Sequence, residues 1–184
     1  MVITGIGPVS PVGTGVDPFW DGLIHGRSGI RAITAFDARG MNVRVAGEVA
    51  DFDASAWLSP KEIRQSDRVV HMAVAATALA WADAGEPDVD RTRVGTIFST
   101  GIGGLATLLD HHTRYLARPP EERIRSISPF LVPLIMPNSA AGRVSMVFGF
   151  TGPSACVSTA CATGAHATID AYKYVRDDDC DLGQ

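Results

Sequence analysis

The residue in this 184-residue chain best placed to do covalent chemistry is Cys161. It lies in Val157-Ser158-Thr159-Ala160-Cys161-Ala162-Thr163-Gly164-Ala165-His166, an apolar strand signal that passes through small residues into a helical pattern. A strand that bends sharply into a helix presents the corner side chain in the open, and Ala and Gly on both sides leave room for a substrate carbonyl. The first N–H groups of a helix have no intrahelical partner, and together with the helix dipole they favour a thiolate over a thiol. The same groups can hold a developing oxyanion.

The other cysteines and the histidines lack such a setting. A free cysteine is usually a small buried hydrophobe. Cys156, in the apolar stretch 154–157, and Cys180, in an acidic tail, both read that way. His71 falls on an Ala-rich helical segment, and His111 and His112 follow a glycine-rich loop; all three read as structural or surface residues. His166 comes five residues after Cys161, a spacing that turns it away from the cysteine on a helix. It reads as a packing or hydrogen-bonding residue and not as a base for the sulfur.

The elements that must position Cys161 alternate along the chain. Residues 2–4 read as a short strand, and Val16, Phe19, Trp20, Leu23 and Ile24 recur at helical spacing before Gly26. Ser66 or Asp67 can cap a helix that runs to Ala84, apolar almost all round and so expected to be buried. A strand over 94–99, a helix over 105–116 and a charged, proline-containing surface excursion over 117–130 follow. Asn138 or Ser139 is expected to cap a helix that ends at Gly149, ahead of a strand over 154–157 and a helix over 162–176. Strands alternating with helices predict an α/β fold with mostly parallel strands.

Composition narrows the function classes. A hydrophobic content of 46% can build one sizeable core, and a net charge of -4 argues against a nucleic-acid partner. Three cysteines without paired spacing suggest a reducing compartment. The expectation is a cytoplasmic protein with no membrane partner, because neither a leader pattern nor a bilayer-length apolar run is present. Gly5-Ile6-Gly7 suggests the start of a dinucleotide loop, but Ser10 stands where the third glycine belongs.

Ser158-Thr159-Ala160-Cys161-Ala162-Thr163-Gly164-Ala165-His166-Ala167 resembles the active-site segment of the β-ketoacyl-acyl-carrier-protein synthases, with the elongating, type II branch the best match. The resemblance covers nearly the whole chain. It takes in Val2-Ile3-Thr4-Gly5-Ile6-Gly7-Pro8-Val9-Ser10-Pro11-Val12-Gly13, the segment from Phe19-Trp20-Asp21-Gly22 to Ile30, and Ser99-Thr100-Gly101-Ile102-Gly103-Gly104. Ile127-Ser128-Pro129-Phe130, Pro137-Asn138 and Gly149-Phe150-Thr151-Gly152-Pro153-Ser154 follow in the family's order.

The resemblance implies a thiolase-like layered α/β/α/β/α fold of which residues 1–184 form the N-terminal half. It implies a decarboxylative Claisen condensation with Cys161 as the acyl-carrying nucleophile, acyl and malonyl thioesters as substrates, acyl carrier protein as partner, a homodimer or a heterodimer with a ketosynthase-like subunit, and no cofactor or metal. Ile102 resembles a residue beside the bound acyl chain, and Leu131 one that reaches toward the partner's pocket. Lys61, Arg64 and Arg125 resemble carrier-docking positions, although Gln65 and Ser126 stand where basic residues are common. The family's two catalytic histidines, its lysine and its Phe-Gly loop belong to the second half and match nothing here. After Arg176 the family's Gly-Asp-Ala-Asp turn is replaced by Asp178-Asp179-Cys180-Asp181, and a buried strand is expected to begin just where the chain stops. A type II polyketide ketosynthase is the alternative of the same class, and a non-catalytic fragment or split subunit the alternative of another. Chain-length-factor subunits are disfavoured because they lack the cysteine.

Overall fold

The computed structural model describes residues 1–183. In chain order its elements are α1 (Val16–Ile24), β1 (Ile30–Ala32), β2 (Val45–Gly47), α2 (Pro60–Arg64), α3 (Arg68–Asp83), β3 (Val94–Ile97), α4 (Leu105–Leu116), α5 (Leu131–Ile135), α6 (Ser139–Phe148), β4 (Ser154–Ala155), α7 (Thr163–Arg176) and β5 (Leu182–Gly183). Single 3-10 turns at Ala54–Ala56, Arg91–Arg93 and Ala160–Ala162 and a longer one at Pro120–Ser126 lie between them. Helix and sheet are mixed, as the alternating pattern predicts.

Helix ends follow local chemistry. The Asp67 carboxylate accepts the Val69 N–H at 3.0 Å and starts α3, while the Ser66 hydroxyl donates instead to Glu62 O. Gly149, at φ +69, ends α6 in the left-handed conformation that a side chain disfavours. The expected cap of α6 does not form: Asn138 makes no side-chain cap bond, and the Ser139 hydroxyl donates to Pro133 O. Ser59 and Glu62 exchange both bonds of a capping box at α2, which the sequence reading passed over.

The chain packs as two compact units. One consists of Val2–Ala56 and Ala75–Pro87. There β1 and β2 pair antiparallel, with Arg31 opposite Ala46. The expected strand over 2–4 is absent, and Val2 and Ile3 are 79% and 83% exposed. A strand exists only through a neighbour that takes its N–H and C=O groups, and these residues have none among the described ones. The segment is anchored just beyond by small residues. A Cβ on Gly5 would lie 2.2 Å from Ala80 O and one on Gly7 1.9 Å from Ala76 O, and Ile6 N–H donates to the Asp83 carboxylate at 2.9 Å. The two glycines that suggest a nucleotide loop thus serve backbone contact with a helix.

The other unit comprises Met1, Trp57–Val74 and the chain from Asp88 onward. Its centre is β3, all four residues of which are buried, flanked by β4 and β5 in parallel. Thr96 pairs with Ser154 and Val94 with Leu182. The predicted strands 94–99 and 154–157 are trimmed to Val94–Ile97 and Ser154–Ala155, and beyond β4 the Val157 N–H goes to a side chain, the Ser99 hydroxyl. A strand does begin before the chain ends, as β5. It is held by Arg93, whose guanidinium donates to Asp181 at 2.8 Å and also bonds Asp178, and whose carbonyl accepts the Asp181 N–H. Asp178, at the position where the resemblance leads one to expect a glycine, takes φ +64.

Cys180 is therefore no tail residue. It is 1% exposed, and a Cβ on Gly95 would sit 3.2 Å from its sulfur. Burial pushes its thiol up from the ordinary value, with hydrogen bonding to the Gly95 backbone opposing. A thiol raised on folding contributes stability in full below the unfolded-state value, and that contribution is lost as pH rises through the folded one. Urea unfolding at neutral pH and at about pH 10 is expected to show an alkaline loss of stability that is smaller in Cys180→Ala. Equal losses in the two proteins would remove Cys180 from the account.

Candidate functional site

Parallel pairing of β3 and β4 brings the segments that leave both strands to one end of the sheet. After β3 the chain runs through Ser99-Thr100-Gly101-Ile102-Gly103-Gly104 into α4, and after β4 it runs through residues 156–162 into α7. The two segments are fastened to each other by hydroxyl groups. Val157 N–H donates to the Ser99 hydroxyl at 3.1 Å, and the Ser158 hydroxyl donates to Gly101 O at 2.8 Å. A Cβ on Gly101 would lie 3.5 Å from Ala160 O, an ordinary contact distance, so the loop passes beside the bend without crowding it.

Cys161 is exposed in the middle of the Ala160–Ala162 turn. The residue before it, Ala160, takes φ +51, a left-handed conformation that costs a residue with a Cβ about 1–3 kcal/mol. Thr159 N–H donates to the Thr163 hydroxyl at 2.9 Å, Ala162 N–H to Thr159 O at 3.1 Å, and Thr163 N–H to Ala160 O. The bend so fixed delivers the chain into α7, whose first turn has no side-chain cap. No side chain caps its leading N–H groups, and a helix N-terminus favours a negative charge. An exposed sulfur two residues ahead of that helix start is an arrangement suited to attack on a carbonyl and to holding the oxyanion that results.

The loop that carries Ile102 rests on α5. Gly104 N–H donates to Ile135 O at 3.3 Å, and a Cβ on Gly104 would fall 2.2 Å from Leu134 O and 3.1 Å from the Asp67 carboxylate. The same carboxylate, buried, accepts the Thr107 hydroxyl of α4. Ile102 is 64% exposed and next to Gly101, while half-buried Leu131 is the first residue of α5. Lys61 and Arg64 lie exposed on α2, tied to α6 through the Glu62–Arg143 ion pair, and Arg125 is exposed in the Pro120–Ser126 turn. None of these three cations forms an ion pair among the described residues.

The structure thus brings Cys161 and the Ile102 loop together and leaves Lys61, Arg64 and Arg125 on other elements. His71 and His111 are engaged away from the cluster. The half-buried His71 ring donates to Ile63 O at 3.2 Å, and its burial pushes the imidazole below its ordinary value. His111 bonds Thr107 O within α4, and His166 is exposed. Sequence reasoning missed the hydroxyls of Ser99, Ser158 and Thr163 as fasteners of the bend. Their one sequence signal is a run of Ser and Thr around an otherwise featureless Ala-Cys-Ala.

Gly104 tests the seating of the loop. Gly104→Ala is expected to destabilise by about 2–3 kcal/mol, because backbone atoms of α5 must move aside. Gly142→Ala, inside α6 with nothing within 4 Å of the new Cβ, is expected to stabilise by about 0.5–1 kcal/mol. Denaturant unfolding checks the contrast, and similar values for the two would contradict the packing described.

Residues 1–182 match the family model described as the N-terminal domain of beta-ketoacyl synthase. The 3-oxoacyl-(acyl-carrier-protein) synthase 2 of Synechocystis sp. is 39% identical over 178 residues, which are 96% of this chain and 42% of that protein. The protein of the same name from Coxiella burnetii is 37% identical over 183 residues, 98% of this chain and 43% of its own length. Among solved structures, the ishigamide ketosynthase/chain length factor superimposes with a TM-score of 0.84 at 28% identity, over 97% of this chain and 44% of that one. The chain therefore spans less than half the length of the relatives it matches, and it belongs to the beta-ketoacyl synthase family.

Proposed function

We propose that the protein carrying this chain is an acyltransferase that joins acyl and malonyl thioesters of acyl carrier protein by decarboxylative Claisen condensation, in fatty-acid elongation. The reading rests above all on one observation: a solvent-exposed Cys161 at a strained turn ahead of an uncapped fourteen-residue helix. In this reaction the Cys161 thiolate attacks the acyl thioester carbonyl, the new C–S bond forms, and the carrier thiol leaves. Loss of carbon dioxide from malonyl carrier protein then gives an enolate, whose carbon attacks the acyl-cysteine. The C–C bond forms and the Cys161 thiolate is released. The α7 N-terminus and nearby backbone N–H groups hold the oxyanion of each addition. Donors for the enolate oxygen are not assigned to any residue of this chain; His71 and His111 are engaged with the carbonyls of Ile63 and Thr107.

Ile102, exposed beside Gly101, would line the acyl chain, and Leu131 would face the pocket of a partner subunit in a homodimer or a ketosynthase-like heterodimer. Lys61, Arg64 and Arg125, cations without an ion-pair partner among the described residues, would meet the acidic carrier protein in the cytoplasm. No helix among the described residues is long and apolar enough to cross a membrane. The likeness to a ketosynthase/chain length factor favours a second reading, a ketosynthase of type II polyketide synthesis with the same use of Cys161.

In the full-length protein, Cys161→Ser is expected to lower acyl transfer at least about a thousandfold, with the fold unchanged by circular dichroism. Retained transfer would remove Cys161 from the mechanism. Lys61→Glu with Arg64→Glu is expected to raise KM for the carrier-bound substrate about tenfold while leaving turnover of a small thioester unchanged. Equal loss on both substrates would place these residues in folding and not in docking.

A further inference from the structure

Thr163 grips the bend that carries Cys161 at both ends. Its backbone N–H donates to Ala160 O, and its hydroxyl oxygen accepts the Thr159 N–H at 2.9 Å. Between these two fastenings sits Ala160 at φ +51. An alanine returns to the right-handed or extended regions unless its surroundings hold it where it is. Thr163 supplies two such restraints, one at each end of the Thr159–Ala160 segment.

The Thr163 hydroxyl makes an unusual bond for its place. In a helix a threonine hydroxyl commonly donates back to the carbonyl four residues earlier. Here it accepts from an N–H four residues earlier, on a residue outside α7, so the bond satisfies none of the helix's own orphan groups. Thr163 is 5% exposed, which leaves little access for water to replace the acceptor. Without it the segment from Thr159 to Ala160 is pinned at one end only, and Ala160 is freer to leave its left-handed conformation.

We infer that Thr163 is a positioning residue for the Cys161 sulfur, acting through the backbone of Thr159 and Ala160 and not by contact with substrate. The inference rests on the reading of Cys161 as nucleophile. Its consequence is that sulfur reactivity depends on a neutral hydroxyl two residues away.

The test is competitive alkylation by iodoacetamide in the full-length protein, reading the rate at Cys161 relative to Cys156 by peptide mapping. In the unaltered protein Cys161 reacts faster; if Cys156 reacts as fast, the nucleophile reading itself fails and the inference with it. Thr163→Val keeps the shape and removes the acceptor, and is expected to lower the ratio about tenfold or more. Thr163→Ser restores the acceptor and is expected to return the ratio to within about twofold. A merely structural role predicts a lower melting temperature with the ratio unchanged in Thr163→Val, and that result overturns the inference. Glycine reaches positive φ freely, so in an Ala160→Gly background the same Thr163→Val change is expected to cost less than about threefold. An undiminished loss in that background would overturn the backbone route. Should Thr163→Val alone fail to fold, the serine variant and the Ala160→Gly pair carry the decision.

Discussion

The larger unit depends on β3 accepting a parallel neighbour on each side. Parallel strands point their carboxyl ends the same way, so the loops that leave β3 and β4 meet without any further design. That pairing demands close backbone contact: Gly152 N–H donates to Val94 O at 3.1 Å, Thr96 N–H to Pro153 O at 2.7 Å, and a Cβ on Gly152 would lie 2.6 Å from Val94 O. A residue with a side chain at 152 would push β4 away and with it the segment that leads to Cys161. On the other side β5 is held by Arg93 and its two aspartates, which places Cys180 beneath Gly95 as part of the core.

Once the strands are paired, hydroxyl groups do the remaining positioning. Ser99 takes the first N–H that β4 releases, Ser158 reaches back to the glycine loop, and Thr163 closes the bend. Each is a short side chain with few rotamers, so little conformational entropy is lost in ordering it. The loop itself rests on Asp67, which serves twice, as the cap of α3 through Val69 and as acceptor for Thr107 of α4. A single buried carboxylate thus ties the start of one helix to the loop end of another.

What could be read in the sequence was whatever local chemistry decides. Gly26, Asp67 and Gly149 mark helix ends because φ and a side-chain acceptor act within one turn, and α4 runs over the predicted residues 105–116. The position of Cys161 between strand and helix was legible for the same reason. Residues 2–4 were not, since strand character depends on a neighbour that no local pattern reveals. Cys180 is the small buried residue that its type suggests, but its acidic surroundings look like a solvated tail, whereas two of those acids are drawn to Arg93 and the cysteine turns inward. The strain at Ala160 was invisible as well, because alanine at positive φ is held by Thr163 and not by its own preference.

The hydroxyl fasteners also leave the electrostatics of the bend uncluttered. From Val144 to Ile169 the sequence contains no Asp, Glu, Lys or Arg, so the segment that holds Cys161 brings no formal charge of its own. A carboxylate in the place of Thr163 could accept the same Thr159 N–H, yet it would set a negative charge beside a sulfur proposed to act as an anion. A lysine or arginine would favour that anion but bind it as an ion pair and weaken its attack. Fastened by neutral groups, the bend leaves the field at the sulfur to the oriented N–H groups of α7, which stay fixed while charge moves from sulfur to oxyanion and back.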